Sequence, residues 1–251
     1  DGVDDYVDAP ISALNSATDV TISMWFKLTA TNDEMMVGDW ISANSGIWLY
    51  FDGSGHWFLS PRDGSATNAD YNWGGSADTN WHHIVGVYDA GATDKIEIYF
   101  DGVSVATSGT APSSLPAATG NNFEIGGLSA ASAYSTGNLD EVAIWNTALT
   151  SGNVTTIYNS GTPNDISSLN PVSYYKMGDG DYFPTLTDSG SGSNDGTATN
   201  MTGADIELDT PNGWGTATNM TAADIEGDTA KGNGGTMTNM AVADIEQDAP
   251  T

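Results

Sequence analysis

Gly137-Asn138-Leu139-Asp140-Glu141-Val142-Ala143-Ile144-Trp145-Asn146-Thr147-Ala148-Leu149 is the stretch on which the reading of this chain turns. Between a Gly-Asn pair and an Asn-Thr pair lies a short apolar, β-branched run of the kind that forms a buried strand. Asp140 and Glu141 are neighbours on it, so a regular strand would send their carboxylates to opposite faces. Thr150 or Ser151 then offers an N-cap, and residues 150–158 are expected to make one short helix.

The same pattern recurs toward the N-terminus. Thr21-Ile22-Ser23-Met24-Trp25-Phe26-Lys27-Leu28 alternates with period two and puts Ile22, Met24, Phe26 and Leu28 on one face. Residues 47–51 and 56–59 flank the turn Asp52-Gly53-Ser54-Gly55 and read as a hairpin. Residues 81–88, 95–100, 103–106 and 122–125 supply further strands, the second and third of them joined by Asp101-Gly102. Short strands between turn signals, with almost no helical periodicity, predict an all-β chain folded as a two-sheet antiparallel sandwich.

Composition narrows the function classes. A chain of 251 residues has room for one large sandwich and an appendage. Its 5 Lys and Arg against 33 Asp and Glu give a formal charge of -28. Such a field repels phosphate backbones and anionic lipid, which argues against nucleic acid and membrane as partners. It suits Ca²⁺ held through carboxylates, or salty water that screens self-repulsion. Cysteine is absent, which removes disulfides, thiol catalysis and Cys-based zinc sites. No apolar run approaches the ~20 residues of a membrane helix. Strand-like residues begin at once at Asp1-Gly2, which points to sequence upstream.

Beyond residue 161 the composition changes. Residues 159–170 are rich in Ser, Asn, Gly and Pro, so a boundary is placed near Thr162. Residues 162–195 are expected to be a linker and a strand-like segment, Tyr174-Tyr175-Lys176-Met177, packing on the sandwich or on a neighbour. Residues 196–251 hold three acidic repeats, in which Gly196-Thr197-Ala198-Thr199-Asn200-Met201 and Ala204-Asp205-Ile206-Glu207 return at offsets of 19 and then 20 residues. Each repeat offers little beyond Met and Ile as apolar anchors, too little to fold alone. The repeats are therefore expected to lie on the sandwich, on one another or between copies.

In order along the chain, Asp1-Gly2-Val3-Asp4-Asp5-Tyr6-Val7, Ser23-Met24-Trp25-Phe26 and Trp81-His82-His83-Ile84-Val85-Gly86-Val87-Tyr88-Asp89 resemble the laminin-G-like, or concanavalin A-like lectin/glucanase, jelly rolls. Ile98-Tyr99-Phe100-Asp101-Gly102, Phe123-Glu124-Ile125-Gly126-Gly127 and the 137–149 stretch carry the resemblance on, over residues 1–161. It implies a two-sheet jelly roll whose relatives occur in lectins, adhesins, accessory modules of carbohydrate-active enzymes and virion surface proteins, and it names no single function. The tail pattern is also similar to that of marine phage structural proteins. There is one departure. In most relatives a segment like Tyr174-Tyr175-Lys176-Met177, with one like residues 188–197 behind it, precedes the opening strand. Here it follows, so it completes this sandwich from the C-terminal side, opens a second domain or pairs with a neighbouring molecule.

Candidate chemistry is sparse. Laminarinase-like glucanases in this fold use carboxylates at alternate strand positions, a spacing that Asp205, Glu207 and Asp209 share. The pattern returns in every repeat outside the expected sandwich, which argues against a catalytic pair. No Gly-x-Ser-x-Gly elbow or Ser-His-Asp order stands out, and His82 and His83 should face opposite ways as ordinary strand residues. For Ca²⁺, oxygens from Asp140, Asn138, Asp5 and Asp4 are the candidate ligands. Asp179, Asp181 and Asp188 match no metal-loop spacing. For a glycan, Trp40, Trp48, Trp57 and Trp73 lie in or beside the turn-rich stretch 38–75; Trp73, Trp57 and Trp48 with Asn72 are the candidate contacts, and Trp73 beside Asn72 is expected to be the exposed ring. Trp25, Trp81 and Trp145 are expected in the core.

The sequence therefore predicts a non-enzymatic, extracellular or virion-surface recognition protein. Its loops would contact a glycan or a cell-surface or virion partner, with Ca²⁺ a candidate cofactor and a homo-oligomer supplying multivalency. The alternative is a structural subunit, a capsid decoration, fibre or surface filament, in which the repeats and the Tyr174 segment join copies by strand addition.

Overall fold

Period-two alternation gives each strand one apolar face, and the fold stacks two sheets so that these faces meet. The computed structural model describes residues 2–30, 34–74, 77–178 and 181–206, all in a compact unit that runs from Asp1 to Pro211. An eight-stranded sheet has the order β15 (Thr185–Leu186), β16 (Gly196–Thr199), β1 (Tyr6–Asp8), β10 (Phe123–Ile125), β3 (Glu34–Ser42), β4 (Ser45–Asp52), β5 (His56–Asp63) and β6 (Ala69–Asn72). A six-stranded sheet has the order β14 (Ser173–Tyr175), β13 (Asn138–Trp145), β2 (Asp19–Lys27), β7 (Trp81–Asp89), β8 (Ile96–Phe100) and β9 (Val103–Ser108). A small pair, β11 (Gly127–Leu128) and β12 (Ala133–Tyr134), lies beside β3. The pairing is antiparallel throughout.

Between the sheets lies the main core. Ile22, Met24, Phe26 and Leu28 are all buried there, as their alternation predicts, against Val37, Leu49, Phe51, Trp57 and Leu59 of the other sheet. Each such side chain contributes roughly 1.5–3 kcal/mol on burial. The outer face of the six-stranded sheet is closed by α1 (Ser151–Tyr158), which starts at a capping box between Thr150 and Asn153 and stops at Asn159 in the left-handed conformation. Its Val154 packs with Val85, Val87 and Tyr99, and its Ile157 with Ala143, Trp145 and Tyr174.

The Tyr174 segment is β14, paired with β13 of the same chain, and the opening of the first repeat is β16, paired with β1. The contact between copies that the structural-subunit reading asked of Tyr174 is thus made within the chain. Asp188 braces this arrangement. Its carboxylate accepts the backbone N–H groups of Tyr174, Gly190 and Asn194, at 2.8, 2.7 and 2.7 Å, and folds the 188–195 loop back over the sheet ends. Strands of both sheets therefore lie beyond residue 161, where the sequence placed its boundary. Met201 and Ile206 of the first repeat pack against the main core. The second and third repeats lie outside the described residues.

Alternation breaks at Glu141. Its φ of 51° and a register shift between Asp140 and Ala143 mark a bulge. The extra residue lets the Glu141 carboxylate accept the Tyr174 hydroxyl on the outer side of the sheet. Tyr174 packs there with Ala143 and Trp145, so the alternate-face expectation for Asp140 and Glu141 does not hold across the bulge.

Candidate functional site: the outer face of the eight-stranded sheet

The outer face of the eight-stranded sheet carries its own cluster, separate from the main core. Met36, Trp48 and Leu128 are buried in it, with Trp40, Tyr50, Ala131 and Ala133 partly buried around them. The register of the β3–β4 hairpin sets this up. Gly38 stands opposite Trp48, and a side chain on Gly38 would come within 2.5 Å of the Trp48 Cα, so glycine is required for this close approach. Trp40 stands opposite Gly46 and its ring lies 4.5 Å from that of Trp48, at 39°. Further along the sheet Tyr50, Phe58 and His56 stack in sequence at 5.1 and 5.8 Å, and His56 Nδ1 is 2.7 Å from Asp70 Oδ1.

Beside Trp40 a cavity of about 340 Å³ opens, lined by Trp40, Asn122, Glu124, Ser129 and Ala130. Two interactions shape it. Glu124 accepts the backbone N–H of Ser129 at 2.5 Å and the Ser129 hydroxyl, which fixes its carboxylate at the wall. Asp39, buried below, accepts the N–H of Gly120 at 2.5 Å and of Asn122 at 3.5 Å, and so holds the 120–122 turn beside β3. Burial pushes the Asp39 pKa up, and the Glu124 charge adds to the rise against those backbone donors. A partly open indole, a fixed carboxylate, an amide and a hydroxyl thus share one wall.

The rings expected to bind are covered. Trp48 is 1% exposed, Trp57 0% and Trp73 6%, so none of them offers a free face. Trp73 is the clearest correction. Its backbone N–H donates to the Gly55 carbonyl at 2.8 Å, drawing the ring into the sandwich against Phe26, His82 and Phe100 at 5.8, 5.0 and 4.9 Å. Asn72 is exposed on edge strand β6, opposite His56. Trp25 and Trp145 are buried as expected, whereas Trp81 is partly exposed. Sequence reasoning passed over Glu124, Asn122 and Ser129, and grouped Trp40 with the other rings of its stretch. The signal for Trp40 was its place just before the Ser42–Ser45 turn, from which hairpin register can be counted.

A second cavity, of about 270 Å³, gathers Asp5, Trp81, Asn138, Met177, Met201 and Ile206. Two of the four expected Ca²⁺ ligands, Asp5 and Asn138, reach it, and Asp4 and Asp140 do not line it. Asp140 is 2% exposed and accepts the Glu141 N–H at 2.8 Å. The four do not converge as a set. Among the described residues no group of three or more His, Asp or Glu side chains could hold a metal ion.

Other acidic and histidine candidates are engaged in the fold. Asp181 accepts the N–H groups of Gly178 and Thr187, as Asp188 accepts three others, and Asp179 lies outside the described residues. Asp205 accepts the N–H and hydroxyl of Thr202 in a turn, not a strand, and Glu207 and Asp209 lie outside the described residues. His82 points inward, its ring bonded to Asp101 at 2.8 Å and Asp78 at 3.1 Å. His83 points outward, beneath Tyr158 and Trp25, with Nε2 2.8 Å from the Ser23 hydroxyl. Burial drives the His83 pKa down to about 3, against the Asp101 charge. Asp101 meets the His83 backbone N–H rather than its ring, so Ser23, His83 and Asp101 are not a relay.

Comparison with known proteins agrees with this architecture. Residues 1–155 match the family described as the concanavalin A-like lectin/glucanases superfamily. No curated protein matches. Among solved structures, a candidate carbohydrate-binding protein from Bacteroides ovatus is similar at a TM-score of 0.61 and 17% identity, over 80% of this chain and 57% of its own. This chain therefore spans little more than half of that protein's length. The CBM40 of the Ruminococcus gnavus IT-sialidase, bound to α2,3-sialyllactose, is similar at a TM-score of 0.48 and 14% identity, over 63% of this chain and 95% of its own. A heptameric SAP-like pentraxin from Limulus polyphemus is similar at a TM-score of 0.44 and 15% identity, over 62% of this chain and 82% of its own. No helix among the described residues is long and apolar enough to cross a membrane.

Proposed function

Because this chain belongs to the concanavalin A-like lectin/glucanases superfamily, we propose that it is a non-enzymatic glycan-binding protein acting on an extracellular or virion surface. One observation carries the reading, the partly open Trp40 ring beside the fixed carboxylate of Glu124. The apolar face of a sugar stacks on the indole. Its hydroxyls donate to Glu124 and exchange hydrogen bonds with Asn122 and Ser129. The binding surface is thus a sheet face with its bordering turns. The likeness in fold to the Bacteroides protein supports a carbohydrate ligand.

One ring and three polar groups give weak single-site affinity, so useful avidity comes from several copies acting together. A glycan array followed by calorimetry on the full chain, with and without Trp40→Ala, tests the reading. Binding that disappears in the variant supports it. Binding that survives unchanged places the ligand elsewhere, and turnover of a β-glucan would overturn the non-enzymatic part.

A further inference from the structure

We propose that the glycan taken by this face is acidic and that Arg62 receives its carboxylate; the proposal rests on the glycan reading above. Arg62 is one of 5 basic residues in a chain with 33 acidic ones. In so acidic a chain a guanidinium is expected to find a carboxylate, yet among the described residues Arg62 is in no ion pair.

The side chain is nonetheless built into place. Its guanidinium carbon lies 4.8 Å over the Trp48 ring, and Nη1 donates to the Ala43 carbonyl at 2.6 Å. Its Nε is sealed from solvent, so the donors a ligand can meet are Nη2 and the second hydrogen of Nη1. Burial presses its pKa down, and the neighbouring Tyr50 acts the other way. A planar fork stacked on an indole, with donors left over, is preorganised for a carboxylate that meets two of its N–H groups at once.

Its position ties it to the proposed sugar platform. Trp40, Gly46 and Arg62 stand in register on three adjacent strands, and the Trp40 ring and the Arg62 guanidinium both rest on Trp48. At the usual strand spacing Arg62 is about 10 Å from Trp40 across the sheet. Glu124 lies on the other side, on β10 beyond β3. The face is thus polarised, with a cation at one flank of Trp40 and an anion at the other. A glycan whose acid group meets Arg62 and whose neutral hydroxyls meet Glu124 fits in one direction, and the reverse orientation sets carboxylate against carboxylate. His56, on the same face, is committed to Asp70 and does not serve as a second anion receptor.

Carboxylated sugars come as hexuronates and as nonulosonic acids, so the test uses both. The full chain is titrated with trigalacturonate against galactotriose, and with sialyllactose against lactose. The expected result is at least a tenfold tighter Kd for the acid member of one pair, weakening as salt rises. Arg62→Met, which keeps an apolar stem on Trp48, should bring that ratio close to one. Arg62→Lys, which keeps the charge but loses the fork, should cut it by more than half, with circular dichroism confirming that both variants are folded. Equal affinities in both pairs, or a preference that survives Arg62→Met, would overturn the proposal. If neutral sugars bind through Trp40 with no acid preference, this inference alone falls. If no sugar binds, the glycan reading falls with it.

Discussion

Trp40 and Trp48 lie ring to ring at 4.5 Å, yet one is partly open to solvent and the other is 1% exposed. The pair divides the work: Trp48 is the floor that holds the Trp40 ring and the Arg62 guanidinium, and Trp40 is the surface a ligand can reach. Trp40→Ala should abolish glycan binding while costing under about 2 kcal/mol of stability, because much of the ring is already wet. Trp48→Ala should cost about 3–5 kcal/mol, the usual range for a buried aromatic. Calorimetry for binding and urea denaturation for stability separate the two effects.

Trp73 should behave as core. Its ring meets Phe26, Phe51, His82 and Phe100, so Trp73→Ala is expected to destabilise by about 3–5 kcal/mol. Glycan affinity measured well below the melting temperature should stay within a factor of two of wild type. A large loss of affinity in a variant of undiminished stability would return Trp73 to the ligand site.

His82 and His83 should give the stability curve two limbs of opposite sign. For His83 burial lowers the folded pKa from 6.5 to about 3, so the unfolded chain takes the proton first. Stability is full above the ordinary value and falls as pH drops below it, by at most about 1.4 kcal/mol per pH unit for one proton. For His82 burial opposes the charge, but Asp101 and Asp78 outweigh it and raise the folded pKa above 6.5. Its contribution is full below the ordinary value and is lost as pH rises through the raised one. Urea midpoints from pH 5 to pH 8.5 test this: His83→Gln should flatten the acid limb, and His82→Gln the alkaline one.

Asp188 should be a stability residue rather than a metal ligand. Its carboxylate accepts three backbone N–H groups, from Tyr174, Gly190 and Asn194. Hydrogen bonds to a charged group are worth about 1.5–3 kcal/mol each, so Asp188→Ala should cost at least about 3 kcal/mol. Hydrogen exchange should rise first in β14, whose Tyr174 N–H the carboxylate holds, and in β16, into which this loop leads. Protection that stays unchanged there would show that the strands need no such brace.

Much of the architecture was legible in residues 1–161. The Ile22, Met24, Phe26 and Leu28 face, the short helix after Thr150 and the Asp101-Gly102 turn all depend on neighbours in the chain, which is where sequence patterns act. The departures have long-range causes. Glu141 escapes the alternation because the bulge lets it meet Tyr174, 33 residues away. The Tyr174 segment and the first repeat join the sheets because partners at β13 and β1 leave room for them.

The sequence by itself determined the jelly roll, since two-residue periodicity and turn chemistry are local and were repeated often enough to permit one layering of sheets. It also determined the overall charge and the absence of thiol chemistry. The tertiary structure alone decided which aromatic ring is open. Trp40, Trp48, Trp57 and Trp73 share similar local surroundings, and their exposure depends on what strand register sets opposite them. Glu124 reaches the Trp40 wall only because β10 comes to lie beside β3, and Arg62 stacks on Trp48 because the β4–β5 register brings it there without a carboxylate to meet it. Exposure and unpaired charge belong to the surface as a whole, and a one-dimensional pattern carries neither.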